Sequence, residues 1–212
     1  MRPPTDPDIL RAQALNFAYD GEPPLVRQWS ATIGAGVTLL HGDTGSGKST
    51  LLRLLAGVLP AGGQLSLAGV RLDADATAYR RNVFFCDPAS DRFDQRSARD
   101  TTALLGAGDP HFNADRWHGL VEGFALAPHL DKPMFMLSTG SKRKVWLAAA
   151  LASGRALVLL DEPAAGLDAA SIGCLWGALE RCAQAPQRAV VVASGERIDT
   201  LVFAGVIELP LR

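Results

Sequence analysis

Residues Gly42 to Thr50, GDTGSGKST, restrict the possible fold more than any other stretch of the chain. They fit the template of a glycine, four free positions, then Gly-Lys and Ser or Thr, with Gly42, Gly47, Lys48 and Ser49 at the fixed places. Glycines at 42, 45 and 47 let the backbone pass through positive φ without a Cβ clash. Successive N–H groups along Asp43, Thr44, Gly45 and Ser46 can then face one concavity suited to phosphate oxygens. Ser49 to Ala56 reads as a helix, and its positive N-terminal end points at the same anion. Val37 to Leu40 reads as a short buried strand leading in. A strand, a glycine turn and a helix in that order call for an α/β fold.

The rest of the composition narrows the partners. The chain has 212 residues and a formal net charge of -1 with both signs interspersed, which gives no basic footprint for nucleic acid and no polybasic patch for lipid. Met1 to Leu10 carries prolines and acids where a secretory signal needs an apolar run, and no stretch approaches the roughly 18 apolar residues of a membrane span. Cys86, Cys174 and Cys182 form no metal-binding or disulfide spacing, so they are expected to be reduced thiols packed as small hydrophobes.

From Ile9 onward, short apolar runs such as Leu15 to Tyr19, broken at Asp20-Gly21 and Pro23-Pro24, suggest edge strands joined by turns. Phe17 and Tyr19 are expected on one strand face, with Tyr19 able to stack on an adenine. The helix after the glycine turn carries an apolar face as far as Leu59. Gln64 to Leu72 reads as a hairpin and Arg81 to Cys86 as a buried strand, while Ala89 to Leu137 has the polar, interrupted texture of a smaller helical lobe. Leu137 to Ser141 then introduces a strong helix to Leu151, a second candidate anion site at a helix N-terminus; its Lys142 to Lys144 run is expected to be a solvated face.

Ala156 to Leu160 is wholly apolar, as in a central parallel strand, and ends on Asp161 and Glu162. In open α/β sheets ligands bind at the carboxyl ends of strands, so this pair and the glycine turn are expected to face one crevice. There Asp161 and the Ser49 hydroxyl suit Mg²⁺, and Glu162 suits a general base that polarises a water. Ala169 to about Ala183 reads as a helix, Ala189 to Ala193 as a last core strand and Val206 to Leu209 as one more strand.

With these residues in view the chain resembles an ATP-binding cassette (ABC) ATPase from about Leu15 to Leu209. GDTGSGKST resembles the family's Walker A and Ala156 to Pro163 its Walker B, with Glu162 as the catalytic carboxylate and Lys48 the catalytic lysine. LSTGS at 137–141 is similar to the signature LSGGQ, keeping Ser138 and Gly140 but carrying Thr139 and Ser141 at drifted positions. Gly166 to Asp168 resembles the D-loop, and Tyr19 stands where an adenine-stacking aromatic is expected. The resemblance implies a mostly parallel phosphate-loop sheet flanked by helices, an antiparallel β part near the N-terminus and a small helical subdomain. It implies one domain over 9–212, with a core of about 9–87 and 155–212, a helical subdomain of about 88–154, and a flexible tail at 1–8.

The resemblance also implies cofactors and partners: ATP held by 42–50, Tyr19, Ser138 and Gly140, Mg²⁺ on Ser49 and Asp161, a second ATPase subunit, identical or not, and separate transmembrane permease subunits. The chain is then expected to be cytoplasmic and peripheral at the inner face of the membrane. Two departures bear on rate. Asp87-Pro88 stands in place of the Q-loop glutamine, and Gly195 replaces the histidine that follows the last core strand. None of the four histidines, His41, His111, His118 and His129, follows that strand, and His41 reads as a strand-end residue. Turnover is therefore expected to be slow, unless Ser194 or a partner's residue supplies the missing donor. Two other readings stay open: a nucleotide-gated module with little hydrolysis, and a soluble ABC ATPase of translation or DNA repair.

Overall fold

In the computed structural model residues 8–85 and 90–211 are described, so the expectations for the tail apart from Asp8, for Cys86 and for Asp87-Pro88 fall outside the described residues. Five parallel strands form the central sheet: β3 (Gly36–His41), β6 (Val83–Phe85), β7 (Leu157–Asp161), β8 (Ala189–Ser194) and β9 (Gly205–Glu208), in the order β6-β7-β8-β3-β9. The three inner strands are mostly apolar because both of their faces are covered, and each ends on a polar residue, His41, Asp161 or Ser194. Side chains alternate across the sheet: Val37, Val158, Leu160, Val190 and Val192 enter one core, while Leu40, Leu157, Leu159, Val191 and Ala193 enter the other.

The first core is closed by α3 (Ala98–Gly106), α4 (Ala114–Gly123), α5 (Thr139–Ala152) and α6 (Ala169–Ala183). The second is closed by α1 (Lys48–Leu55) and by an antiparallel sheet. That sheet comprises β1 (Leu10–Phe17), β2 (Val26–Ile33), β4 (Gly62–Leu67) and β5 (Val70–Arg71), in the order β2-β1-β4-β5. The 64–72 hairpin is present, but β1 is an inner strand paired on both sides, not the expected edge. The turn signals Asp20-Gly21 and Pro23-Pro24 belong to the loop that joins it to the true edge, β2.

Two boundaries move for local reasons, and one helix is added. Helix α1 stops at Leu55, because Gly57 turns to φ 67° and leaves Val58 in solvent, so the apolar periodicity to Leu59 overran the helix. Arg81 and Asn82 are not strand but the end of α2 (Ala76–Arg81), a helix that the sequence reading passed over. Its signal was Asp75, which caps the helix by accepting from the Ala78 N–H at 2.8 Å.

Tyr79 on α2 is fully buried, and its hydroxyl donates to the Leu55 carbonyl at 2.7 Å, satisfying an orphan acceptor at the end of α1. Burial drives the phenol pKa well above its ordinary value, so the group stays a donor at any working pH. Arg188, also buried, closes the end of α5 in the same way by donating to the Ala150 and Leu151 carbonyls. We expect Tyr79→Phe to lower the unfolding free energy by about 1–3 kcal/mol, since it strands a buried carbonyl. The comparison is wild type against variant in urea unfolding, and equal midpoints would remove the role assigned to the hydroxyl.

Candidate functional site

Strands β3, β7 and β8 run parallel and in register, so His41, Asp161 and Ser194 end together at one edge of the sheet. The chain leaves β3 through Gly42, where a Cβ would stand 2.7 Å from Ser46 Oγ and 2.9 Å from Leu209 Cβ. It turns through Gly45 at φ 81° and Gly47 at φ 99°, and α1 begins at Lys48. The two positive-φ glycines are what the turn requires. An open cleft of about 890 Å³ lies over this loop, lined by Asp43 to Gly45, Gly47 to Thr50, Asp161, Glu162, Ser194 and Gly195 among others. The expected crevice, with carboxylates opposite a glycine turn, is therefore present.

Within it Lys48 is 6% exposed, and its ammonium donates to the carbonyls of Gly42 at 2.7 Å and Asp43 at 3.1 Å. Glu162 Oε1 lies 3.3 Å from the same ammonium and accepts from the Gly195 N–H at 2.9 Å. Glu162 holds a left-handed backbone, φ 44°, which for a side chain of this kind costs about 1–2 kcal/mol and is maintained by its surroundings. A Cβ at Gly195 would sit 3.5 Å from Glu162 Oε1 and 3.7 Å from Lys48 Nζ, ordinary contact distances. Position 195 thus adjoins both charges, and a Cβ there would be accommodated at ordinary contact distances. Ser194 does not replace it: its hydroxyl donates to the Glu196 carbonyl at 2.8 Å and accepts from the Glu196 N–H at 3.0 Å.

Asp161 Oδ1 is buried with no hydrogen-bond partner, an orphan of the kind that a cation or its water shell satisfies. With the Ser49 hydroxyl at the start of α1 across the same cleft, the donors are hard oxygens, and they fit Mg²⁺.

Tyr19 lies beyond the end of β1, so it shares no strand face with Phe17; the two rings meet edge to face at 4.9 Å. Its hydroxyl is 3.0 Å from Thr50 Oγ1, which sets the ring beside the glycine loop with 47% of the residue exposed.

Ser138 and Gly140 are not brought into this cleft. Ser138 caps α5, accepting from the Ser141 N–H at 3.1 Å and donating to Ser141 Oγ at 3.0 Å. Gly140 is required by a close approach, because a Cβ there would stand 2.7 Å from the Gly166 carbonyl oxygen. The basic run is not the solvated face expected of it. Lys142 pairs with Asp94 at 2.7 Å, Lys144 pairs with Asp168 at 2.7 Å, and Arg143 donates to the Glu162 carbonyl at 3.0 Å and to the Ala165 carbonyl. Cations in the first turn of a helix oppose its dipole, so a run of three there was itself a sign that acceptors hold them. The Gly195 N–H and the Arg143 clamp escaped the sequence reading because neither is a motif residue. Strand-end His41 pairs through Nδ1 with Glu208 Oε2 at 2.7 Å.

Fold and site together define a phosphate-loop nucleotide-binding protein. The model of a family described as ABC transporter matches residues 26–165, and the chain belongs to that family, as an ATP-binding subunit. It is 40% identical over 179 residues to the cytochrome c biogenesis ATP-binding export protein CcmA of Rhodospirillum rubrum, covering 82% of this chain and 74% of that protein. It is 39% identical over 171 residues to the nickel import ATP-binding protein NikO of Rhodobacter capsulatus, covering 74% and 66%. Among solved structures, an ATP-binding subunit of an ABC transporter superposes with a TM-score of 0.77 at 21% identity, over 88% of this chain and 79% of that one.

Lys144 and the N–H and hydroxyl of Ser171 hold the Asp168 carboxylate well below the ordinary carboxylate range, Lys144 being the largest influence. A depressed folded-state pKa stabilises above the unfolded value and loses its effect as pH falls through the folded one. We therefore expect Asp168→Asn to be less stable than wild type at neutral pH, with the gap narrowing on acidification below about pH 4. Melting curves from neutral pH down to acid check this, and a gap that widens in acid would contradict it.

Proposed function

We propose that this subunit binds Mg-ATP in the cleft over 42–50 and hydrolyses it slowly, driving separate permease subunits through closure and reopening of an ATPase dimer. One observation carries the reading: the Glu162 carboxylate is held 2.9 Å from the Gly195 N–H and 3.3 Å from Lys48, within the cleft that contains the glycine loop. In this reading the N–H groups of Asp43 to Gly47, with Thr50 and the α1 terminus, hold the phosphates. Lys48 turns from its loop carbonyls to the transferred phosphoryl group, and the exposed Tyr19 ring stacks on the adenine. Ser49 and Asp161 would hold Mg²⁺, which would supply charge neutralisation at the phosphates. Glu162 takes the proton of the attacking water as the γ-phosphate bond breaks.

Ser138 and Gly140 lie outside their own chain's cleft, and this supports their serving the ATP of a second subunit across a dimer interface. The helical region, about 88–154, faces the permeases in this reading and leaves Phe135 and Met136 more than half exposed just ahead of α5. Among the described residues no helix is long and apolar enough to cross a membrane, which supports attachment at the inner face through those partners.

Gly195 favours a second reading, that of a module that closes on ATP and scarcely hydrolyses it. Losing one preorganised donor to a transition-state oxygen typically costs about 3–4 kcal/mol, two to three powers of ten in rate. The retained carboxylate, already aligned, favours slow hydrolysis over none. We expect Gly195→His, whose Cβ would meet only ordinary contacts, to raise ATP turnover at least about tenfold; no gain would count against the missing donor as the cause of slowness. Glu162→Gln is expected to retain ATP and accumulate a nucleotide-bound dimer on gel filtration. If wild type accumulates the same dimer indefinitely, the nucleotide-gated module is the better reading.

A further inference from the structure

The turn that carries Glu162 is fixed from several sides. The Glu162 N–H donates to the Ala193 carbonyl at 3.0 Å, and the Glu162 carbonyl accepts from the Ala165 N–H at 3.1 Å. Arg143, from α5, adds a guanidinium to that same Glu162 carbonyl at 3.0 Å and to the Ala165 carbonyl one turn on. These bonds surround a residue in the left-handed region, where a glutamate does not settle unaided, and the carboxylate's direction follows from that backbone. Two residues N-terminal to Ser141, α5 begins on Thr139, and Gly140 lies against the Gly166 carbonyl with no room for a Cβ. The start of α5 and the 162–166 turn are therefore one packed unit.

We propose that Arg143 is a positioning residue for hydrolysis: it fixes the Glu162 backbone so that the carboxylate faces Lys48 and Gly195, and it links the seating of the α5 terminus to that carboxylate. The proposal rests on the reading of Glu162 as the base. A guanidinium suits the task because one terminal nitrogen, Nη1, donates to both carbonyls at once on a planar, weakly hydrated and always charged group, whereas a lysine ammonium is more strongly hydrated and more flexible. Arg143 is no part of the phosphate-binding loop, so its loss leaves nucleotide binding in place and acts on the rate.

The test is single-turnover ATP hydrolysis by the full chain, with wild type, Arg143→Ala, Arg143→Lys and Glu162→Gln compared, and ATP affinity measured separately. We expect Arg143→Ala to slow hydrolysis about tenfold with ATP affinity within about twofold of wild type, and Arg143→Lys to recover part of the rate. A general packing role would weaken binding and rate together and would show no recovery with lysine, and that pattern overturns the proposal. Should Arg143→Ala fail to fold, Arg143→Lys carries the test, and a wild-type rate in that variant with unaltered pH dependence would count against the need for a guanidinium at this position. If Glu162→Gln abolishes hydrolysis while Arg143→Ala keeps the full rate, Arg143 is exonerated and the base stands. If Glu162→Gln hydrolyses as fast as wild type, the base assignment itself falls and this inference falls with it.

Discussion

A buried ammonium whose charge must be compensated is the constraint around which the cleft is arranged. Lys48 is almost wholly enclosed, and an uncompensated charge so placed would cost several kcal/mol. The loop compensates by turning the Gly42 and Asp43 carbonyls onto it, and the sheet does so by presenting Glu162 at 3.3 Å. Neither arrangement is local in sequence. The carbonyls are available because glycines at 45 and 47 admit positive φ, and the carboxylate arrives because β3, β7 and β8 are parallel and end at one level. A polyphosphate presents the ammonium with more negative charge than two carbonyls do, so in the proposed reading these are the bonds that a nucleotide would displace.

The two cores explain why this edge is steady enough to hold such a balance. Alternating strand residues lock the sheet between α1 with the antiparallel strands on one side and α5 with α6 on the other. A slip of one residue in β7 would reverse every side chain, sending Val158 and Leu160 to the wrong core and moving Glu162 away from Gly195. Tyr79 and Arg188 serve the same end, satisfying the carbonyls of α1 and α5 at buried helix ends that solvent does not reach.

The parallel core and the phosphate loop were legible in the sequence because each depends on short-range patterns: an unbroken apolar run for a strand covered on both faces, glycines at fixed spacing for a turn. Elements set by long-range contact were not. The inner place of β1 comes from pairing with β4, some fifty residues on, and α2 rests on one capping aspartate and one buried tyrosine. In the site, the side chains of the glycine loop and of the Asp161-Glu162 pair line one cleft, while Ser138 and Gly140 lie outside it. The main-chain N–H of Gly195 and the carbonyls gripped by Arg143 carry no letter of their own in the sequence.

Within the cleft the groups that suit a nucleotide are all present: the loop glycines, Lys48, Ser49, Asp161 with its unpartnered oxygen, and beside them the aromatic ring tied to Thr50. The change within the cleft is at Gly195, whose missing side chain would reach toward the charges where a transition state forms, while its main chain still aligns the carboxylate. In the proposed reading, binding and alignment without the last donor would give a subunit that closes on ATP and reopens late. The time spent closed would then depend on how firmly Glu162 is aimed, and so on the turn at 162–166 and the helix packed on it.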